Sequence, residues 1–175
     1  MQNIKKLKDT RKLVYLSLLT SLALILFIFE SMIPMPVITP GAKLGLANLI
    51  IMVSIYTLDS YKDALKVLLL RIFIVSLFFG TPSMIIYSLS GGLLSFGIMI
   101  FLKKFFGKHL SLIGISVSGA VFHNIGQLFA ACLILENFGV MLYLPVLSLA
   151  GIGTGVFVGI SADFMIKHLN KLLYK

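Results

Sequence analysis

The chain has 175 residues, of which 59% are hydrophobic and 12% charged, with a formal net charge of +9. A soluble domain would carry about twice that share of charged residues, so composition excludes a water-soluble globule and implies an integral membrane protein in one compact bundle. The basic residues gather at the ends of apolar segments, the pattern that orients membrane helices, and no nucleic-acid partner is expected.

Met1 to Lys12 is a basic leader holding Lys5, Lys6, Lys8, Arg11 and Lys12, and an apolar run from Leu13 to Phe29 follows. A cleaved secretory signal has a similar outline. This run is long for a signal core and ends in no Ala-x-Ala site, so it is expected to stay as the first membrane helix. Apolar windows of about 20 residues predict six spanning helices. They fall at 13–32, 44–58, 63–80, 83–102, 111–135 and 141–166, the second and third being short or interrupted by charge. The expected architecture is an all-α six-transmembrane-helix bundle over 13–166, with 1–12 as a cytoplasmic leader and 167–175 as a basic cytoplasmic tail.

Helix one carries Ser17 and Ser21, a small-x-x-x-small pair in an otherwise bulky helix. Such a pair either packs inside the bundle or forms a docking groove for another membrane protein. Between helices one and two, Pro34, Pro36 and Pro40 cannot continue a helix, so a loop is expected over 31–41. Helix three contains Arg71, which either snorkels to the interface or pairs internally, with Asp163 of helix six as the expected partner. Asp59 and Asp63 flank an inner turn and are expected to be solvated.

Helices four to six are rich in small residues. Ser88-x-x-x-Gly92, Gly91-x-x-x-Ser95, Gly114-x-x-x-Ser118, Gly126-x-x-x-Ala130 and the Gly151, Gly155, Gly159 stripe are read mainly as close-packing surfaces. Helix five also places His123, Asn124 and Gln127 in the middle of an apolar span. Hydrocarbon cannot solvate these side chains, so they must face protein, water or a ligand. His123 and Gln127, four residues apart, share a face, and Asn124 is set about 100° round from His123. The lone cysteine, Cys132, lies in the same segment, which excludes an intrachain disulfide and suits a small buried hydrophobe.

Orientation follows from charge. With the N-terminus inside, the leader, the two inner turns and the tail hold thirteen basic residues and the outer loops hold one, Lys43. This is a strong positive-inside bias. His123 and Gln127 then lie roughly 18 and 12 Å below the outer end of their helix, at 1.5 Å rise per residue.

The candidate substrate-binding set is Glu30, Lys43, Asn48, Tyr87, Ser88, His123, Asn124 and Gln127, a few polar groups in an apolar setting. His123 and Gln127 are alternatively core polars bonded to each other or to a facing backbone. Glu30 and Lys43 are alternatively interfacial anchors, and an anionic substrate would suit Lys43. The sequence holds no nucleotide-binding G-x-x-x-x-G-K-[ST] loop, no H-E-x-x-H, no C-x-x-C and no Asp-rich diphosphate motif. No catalytic residue, metal site or cofactor is therefore expected.

Pro40-Gly41-x-Lys43-Leu44-Gly45-Leu46-Ala47-Asn48, Ser90-Gly91-Gly92-Leu93-Leu94-Ser95 and His123-Asn124-Ile125-Gly126-Gln127 resemble, in order, the motifs of a bacterial membrane family. That family is called heptaprenyl diphosphate synthase component I, or Gx transporter, and the resemblance covers about residues 13–166. It looks in turn like the substrate-binding S-components of energy-coupling factor (ECF) importers. The resemblance implies six helices, both termini inside the bacterial cell membrane, and an outward pocket gated by the loop between helices one and two. It implies docking through small residues of helix one, usually alanines, where this chain has Ser17 and Ser21. Its implied partners are an ECF transmembrane coupling protein and two ABC ATPases that hydrolyse ATP, so the chain itself would not be an enzyme. Its implied cargo is a vitamin-like small molecule, such as an isoprenoid or quinone precursor. Two alternatives stand beside this reading. One is a membrane accessory subunit of prenyl diphosphate synthesis, and the other is a stand-alone carrier.

Overall fold

The computed structural model describes residues 9–32, 45–79 and 82–173. The described residues fold into six α-helices without a strand: α1 (Asp9–Met32), α2 (Asn48–Thr57), α3 (Tyr61–Phe79), α4 (Pro82–Phe106), α5 (Leu112–Leu135) and α6 (Leu144–Leu173). A 3-10 segment, Phe138–Tyr143, leads into α6. The element count and order agree with the hydropathy reading. The expected loop over 31–41 falls mostly outside the described residues, as does Lys43.

Thr10–Met32, Ser83–Phe106, Leu112–Leu135 and Phe138–Leu169 are long and apolar enough to cross a membrane. Large side chains such as Phe73, Phe78, Leu142, Leu149 and Phe164 are exposed around the bundle. Exposed apolar surface on that scale belongs against lipid, and the chain is a multi-pass membrane protein.

The second helix departs from expectation. It begins at Asn48 rather than 44 and spans ten residues, ending at Thr57. Its length is about 15 Å at 1.5 Å per residue, half the thickness of a hydrocarbon core. Eight of its ten residues are buried, so α2 is an interior strut rather than a lipid-facing span. Ile50, Ile51, Met52, Val53 and Ile55 form a central cluster with Leu68 of α3, Met99 of α4, Ile115 of α5 and Ile166 of α6. Moving such side chains from lipid to protein gains little hydrophobic free energy, so close packing has to hold the bundle.

The glycines show how. A Cβ on Gly155 would lie 2.6 Å from Val117 Cα, and one on Gly159 would lie 2.7 Å from Ile113 Cα, so α6 packs backbone to backbone on α5. On the other side of α5, Gly126 meets the α4 backbone at Ser90 and Gly91. These approaches seat α5 between α4 and α6.

Charge fastens one end of the bundle. Asp63 is 3% exposed and pairs with Lys12 at 2.6 Å and Lys66 at 3.0 Å, joining α1 to α3. Lys103 donates to the Ile55 carbonyl at 2.5 Å and lies 4.2 Å from the centre of the Tyr56 ring. Tyr15 donates to Thr57 Oγ1 at 3.0 Å. The expectation of a solvated Asp63 is thus corrected: the short α2 lets the α1 and α3 starts close over it. Asp59 is exposed.

Candidate functional site

At the other end of the bundle, the last turns of α1 meet the start of α2. Gly45 takes a positive φ of 83°, a conformation that costs a side-chain-bearing residue energy. This turn aims its N–H at Glu30 Oε1, 2.5 Å away, while its carbonyl accepts from Asn48 N at 2.8 Å. Glu30 is buried with it. The Asn48 side chain packs on Gly45, and so does His123 from α5: a Cβ on Gly45 would lie 2.9 Å from Asn48 Nδ2 and 3.4 Å from His123 Cδ2.

Gly91 opens the same space from α4. A Cβ there would lie 2.8 Å from Gln127 Cγ and 3.0 Å from His123 Cε1. The shared face predicted for His123 and Gln127 is real, and it is turned toward α4 and α2. His123 also hydrogen-bonds the Gly91 backbone. Just beneath lies a void of about 10 Å³ lined by Asn48, Ser95, Met99, Ser116, Gly119 and Thr154 among others. That volume suits one water and nothing larger.

Three buried side-chain atoms here have no hydrogen-bond partner among the described residues: Asn48 Nδ2, Ser95 Oγ and His123 Nδ1. Each such atom costs about 1–3 kcal/mol in a packed interior. Their convergence from α2, α4 and α5 is the least satisfied region of the described fold.

Arg71 belongs to this region too. It is 5% exposed and interacts electrostatically with Glu30 and with His123. The expected pairing with Asp163 is not made, because Asp163 bonds Lys167 one turn along α6 at 2.6 Å. A charge in the middle of the apolar α3 was the available signal. The misassigned partner came from choosing among acidic residues without knowing which helices touch.

The remaining candidates separate. Asn124 is buried, but its Nδ2 donates to the Leu147 carbonyl at 2.6 Å and rests against Gly151, so it ties α5 to α6. Tyr87 is buried in an apolar group with Leu128, Ala131, Cys132 and Val140. Ser88 is half-buried on α4. Ser17 and Ser21 both face outward on α1, among exposed Val14, Leu18, Leu22 and Ile25, so neither packs inside the bundle. The structure therefore brings together Glu30, Asn48, His123 and Gln127, and adds Gly45, Arg71, Gly91 and Ser95. Ser95 was readable only as a packing residue, since a serine in a small-x-x-x-small pair has no distinctive pattern. Among the described residues no three His, Cys, Asp or Glu side chains are grouped to hold a metal ion.

Residues 19–165 match the family described as heptaprenyl diphosphate synthase component I. The match spans most of the chain, and the chain belongs to that family. No curated protein and no solved structure matches it.

Proposed function

We propose that this member of the heptaprenyl diphosphate synthase component I family captures a small molecule between α2, α4 and α5, as the substrate-binding S-component of an ECF-type importer. One observation carries the reading: Asn48 Nδ2, Ser95 Oγ and His123 Nδ1 are buried with no hydrogen-bond partner among the described residues. A scaffold would have evolved partners for them, whereas a ligand-binding site keeps donors and acceptors for its ligand. The void of about 10 Å³ is too small for any cargo. Capture therefore requires the Gly45 turn to part from His123, breaking the Glu30–Gly45 bond, and closure returns both.

In this reading the chain is not an enzyme. ATP is hydrolysed by two partner ATPases, joined through a membrane coupling protein that docks on the Ser17–Ser21 face of α1. The membrane is the bacterial cytoplasmic membrane, with both termini inside, as the thirteen-to-one distribution of basic residues supports. The test is gentle purification from native membranes, with mass spectrometry of co-purifying proteins and of released small molecules. Recovery of ABC-type ATPases with a membrane subunit supports the importer. Recovery of a soluble prenyl synthase without ATPases overturns it. The released small molecule should be lost from His123→Ala and Gln127→Ala, and retention by both variants would make the polar face scaffold.

The family description also accords with a second reading, a membrane accessory of prenyl diphosphate synthesis. In that case the catalytic Asp-rich motifs, absent from this sequence, belong to the partner synthase.

A further inference from the structure

The connection between α5 and α6 presents large apolar side chains where a water-facing turn would present polar ones. Glu136 ends α5 in the left-handed region, at φ 49°, so the chain leaves the helix axis there. Asn137 Oδ1 accepts from Gly139 N at 2.8 Å and starts the 3-10 segment Phe138–Tyr143. Val140 pins that segment to the bundle by packing with Tyr87, Leu128 and Cys132. Phe138 and Leu142 remain 71% and 82% exposed. Leu135 at the end of α5 and Val146 and Leu149 at the start of α6 are exposed as well, so the segment joins two lipid-facing helix ends.

Helix lengths fix the depth of this connection. α5 begins just past Lys108 and has 24 residues, about 36 Å at 1.5 Å per residue. α6 runs roughly 28 Å from Leu144 to Asp163, its first charged residue. A hydrocarbon core is about 30 Å thick, so both helices bring their shared end to the boundary between acyl chains and headgroups. The backbone agrees with that depth. A left-handed residue and a short 3-10 segment leave polar groups that hydrocarbon cannot satisfy and a hydrated headgroup layer can. We infer that residues 136–143 form an interfacial anchor, lying along the membrane surface with Phe138 and Leu142 sunk among the upper acyl chains and Glu136 and Asn137 among the headgroups. Between Lys108 and Lys167 there is no lysine or arginine, so apolar burial rather than headgroup charge holds the segment. The partner is the phospholipid interface itself. The anchor sets the depth of the candidate site, since His123 lies twelve residues along α5 from Leu135, roughly 18 Å away. It holds whether or not that site captures a ligand.

The chain contains no tryptophan, so a single introduced indole reports only its own position. The experiment compares Phe138→Trp, Leu142→Trp and, as a lipid-facing reference within α6, Leu149→Trp, each in the full chain in phosphatidylcholine nanodiscs. Emission is read in discs whose lipids carry bromine near the top of the acyl chains, in discs with bromine near the chain ends, and in plain discs with aqueous iodide. Phe138→Trp and Leu142→Trp should lose most of their emission to the shallow bromines and little to the deep bromines or to iodide. Leu149→Trp, about 7.5 Å further in than Leu144, should respond more to the deep bromines. Both anchor positions are exposed, so an indole meets no packed core, and Leu142→Trp decides the matter if Phe138→Trp fails to fold. Strong quenching by iodide with none by bromine would put the segment in water. Emission untouched by either quencher would put it under another protein chain, and quenching mainly by the deep bromines would put it inside the hydrocarbon core. Each of these three results overturns the anchor.

Discussion

Gly126→Ala probes the α4–α5 contact on which the site is built. Its new methyl would sit 2.6 Å from Ser90 O and 2.9 Å from Gly91 Cα, both backbone atoms of α4. Relief from 2.6 to the 3.4 Å of ordinary contact requires the two helices to part by about 0.8 Å. No rotamer change can supply that, so the cost belongs at the upper end of the range for overpacking, about 3 kcal/mol. Alanine returns up to about 1 kcal/mol of helix propensity, leaving a net loss of about 2 kcal/mol. For a chain of this size that lowers the unfolding midpoint by roughly 4–8 °C. Gly97→Ala is the matched control on α4, because nothing lies within 4 Å of its added Cβ. It should unfold up to about 4 °C above wild type. Circular dichroism melts of both variants in nanodiscs give the comparison. A Gly126→Ala midpoint equal to or above that of wild type would show that α4 and α5 are not in backbone contact, and the placement of His123 and Gln127 against Gly91 would fall with it.

Other expectations bear on the rest of the bundle. Asp63→Asn should destabilise by about 1–2 kcal/mol, less than a fully buried pair, because Lys12 and Lys66 are partly exposed. A double-mutant cycle with Lys12→Gln should return a coupling of about 1 kcal/mol, and strict additivity would refute the pairing. Asn124→Leu should cost about 1–2 kcal/mol by stripping the Leu147 carbonyl of its donor. Its ligand binding should stay within threefold of wild type, and a complete loss would return Asn124 to the site. Ser17→Leu, on the outward face of α1, should fold and bind ligand normally while failing to recover a membrane partner in co-purification. Undiminished recovery would remove that face from docking.

Much of the fold was legible because membrane segments announce themselves locally. Each long apolar run must satisfy its own backbone as a helix, whatever its neighbours. The α5 polar face was legible for the same reason, since His123 and Gln127 have no partner in lipid wherever α5 lies. The length of α2 was not legible: Leu44 to Leu58 holds no charged residue and reads as one mainly apolar run, and hydropathy does not register the turn at Gly45 that starts the helix late. Nor was the division between Asn124 and His123. Both are polar at the same depth, and the difference is that one faces the Leu147 carbonyl and the other faces Gly91.

The sequence alone determined that this is a multi-pass helical membrane protein, with its helix order and a polar stripe in the fifth helix. Those properties depend on the solvation of each segment, which its own residues decide. Only the tertiary structure decided that Asp63 is buried between lysines, that Asp163 pairs with Lys167 rather than Arg71, and that Asn48 Nδ2, Ser95 Oγ and His123 Nδ1 are buried without a hydrogen-bond partner among the described residues. Those properties depend on which helix faces meet, and in this bundle the meeting is set by glycines close enough to bring backbones into contact.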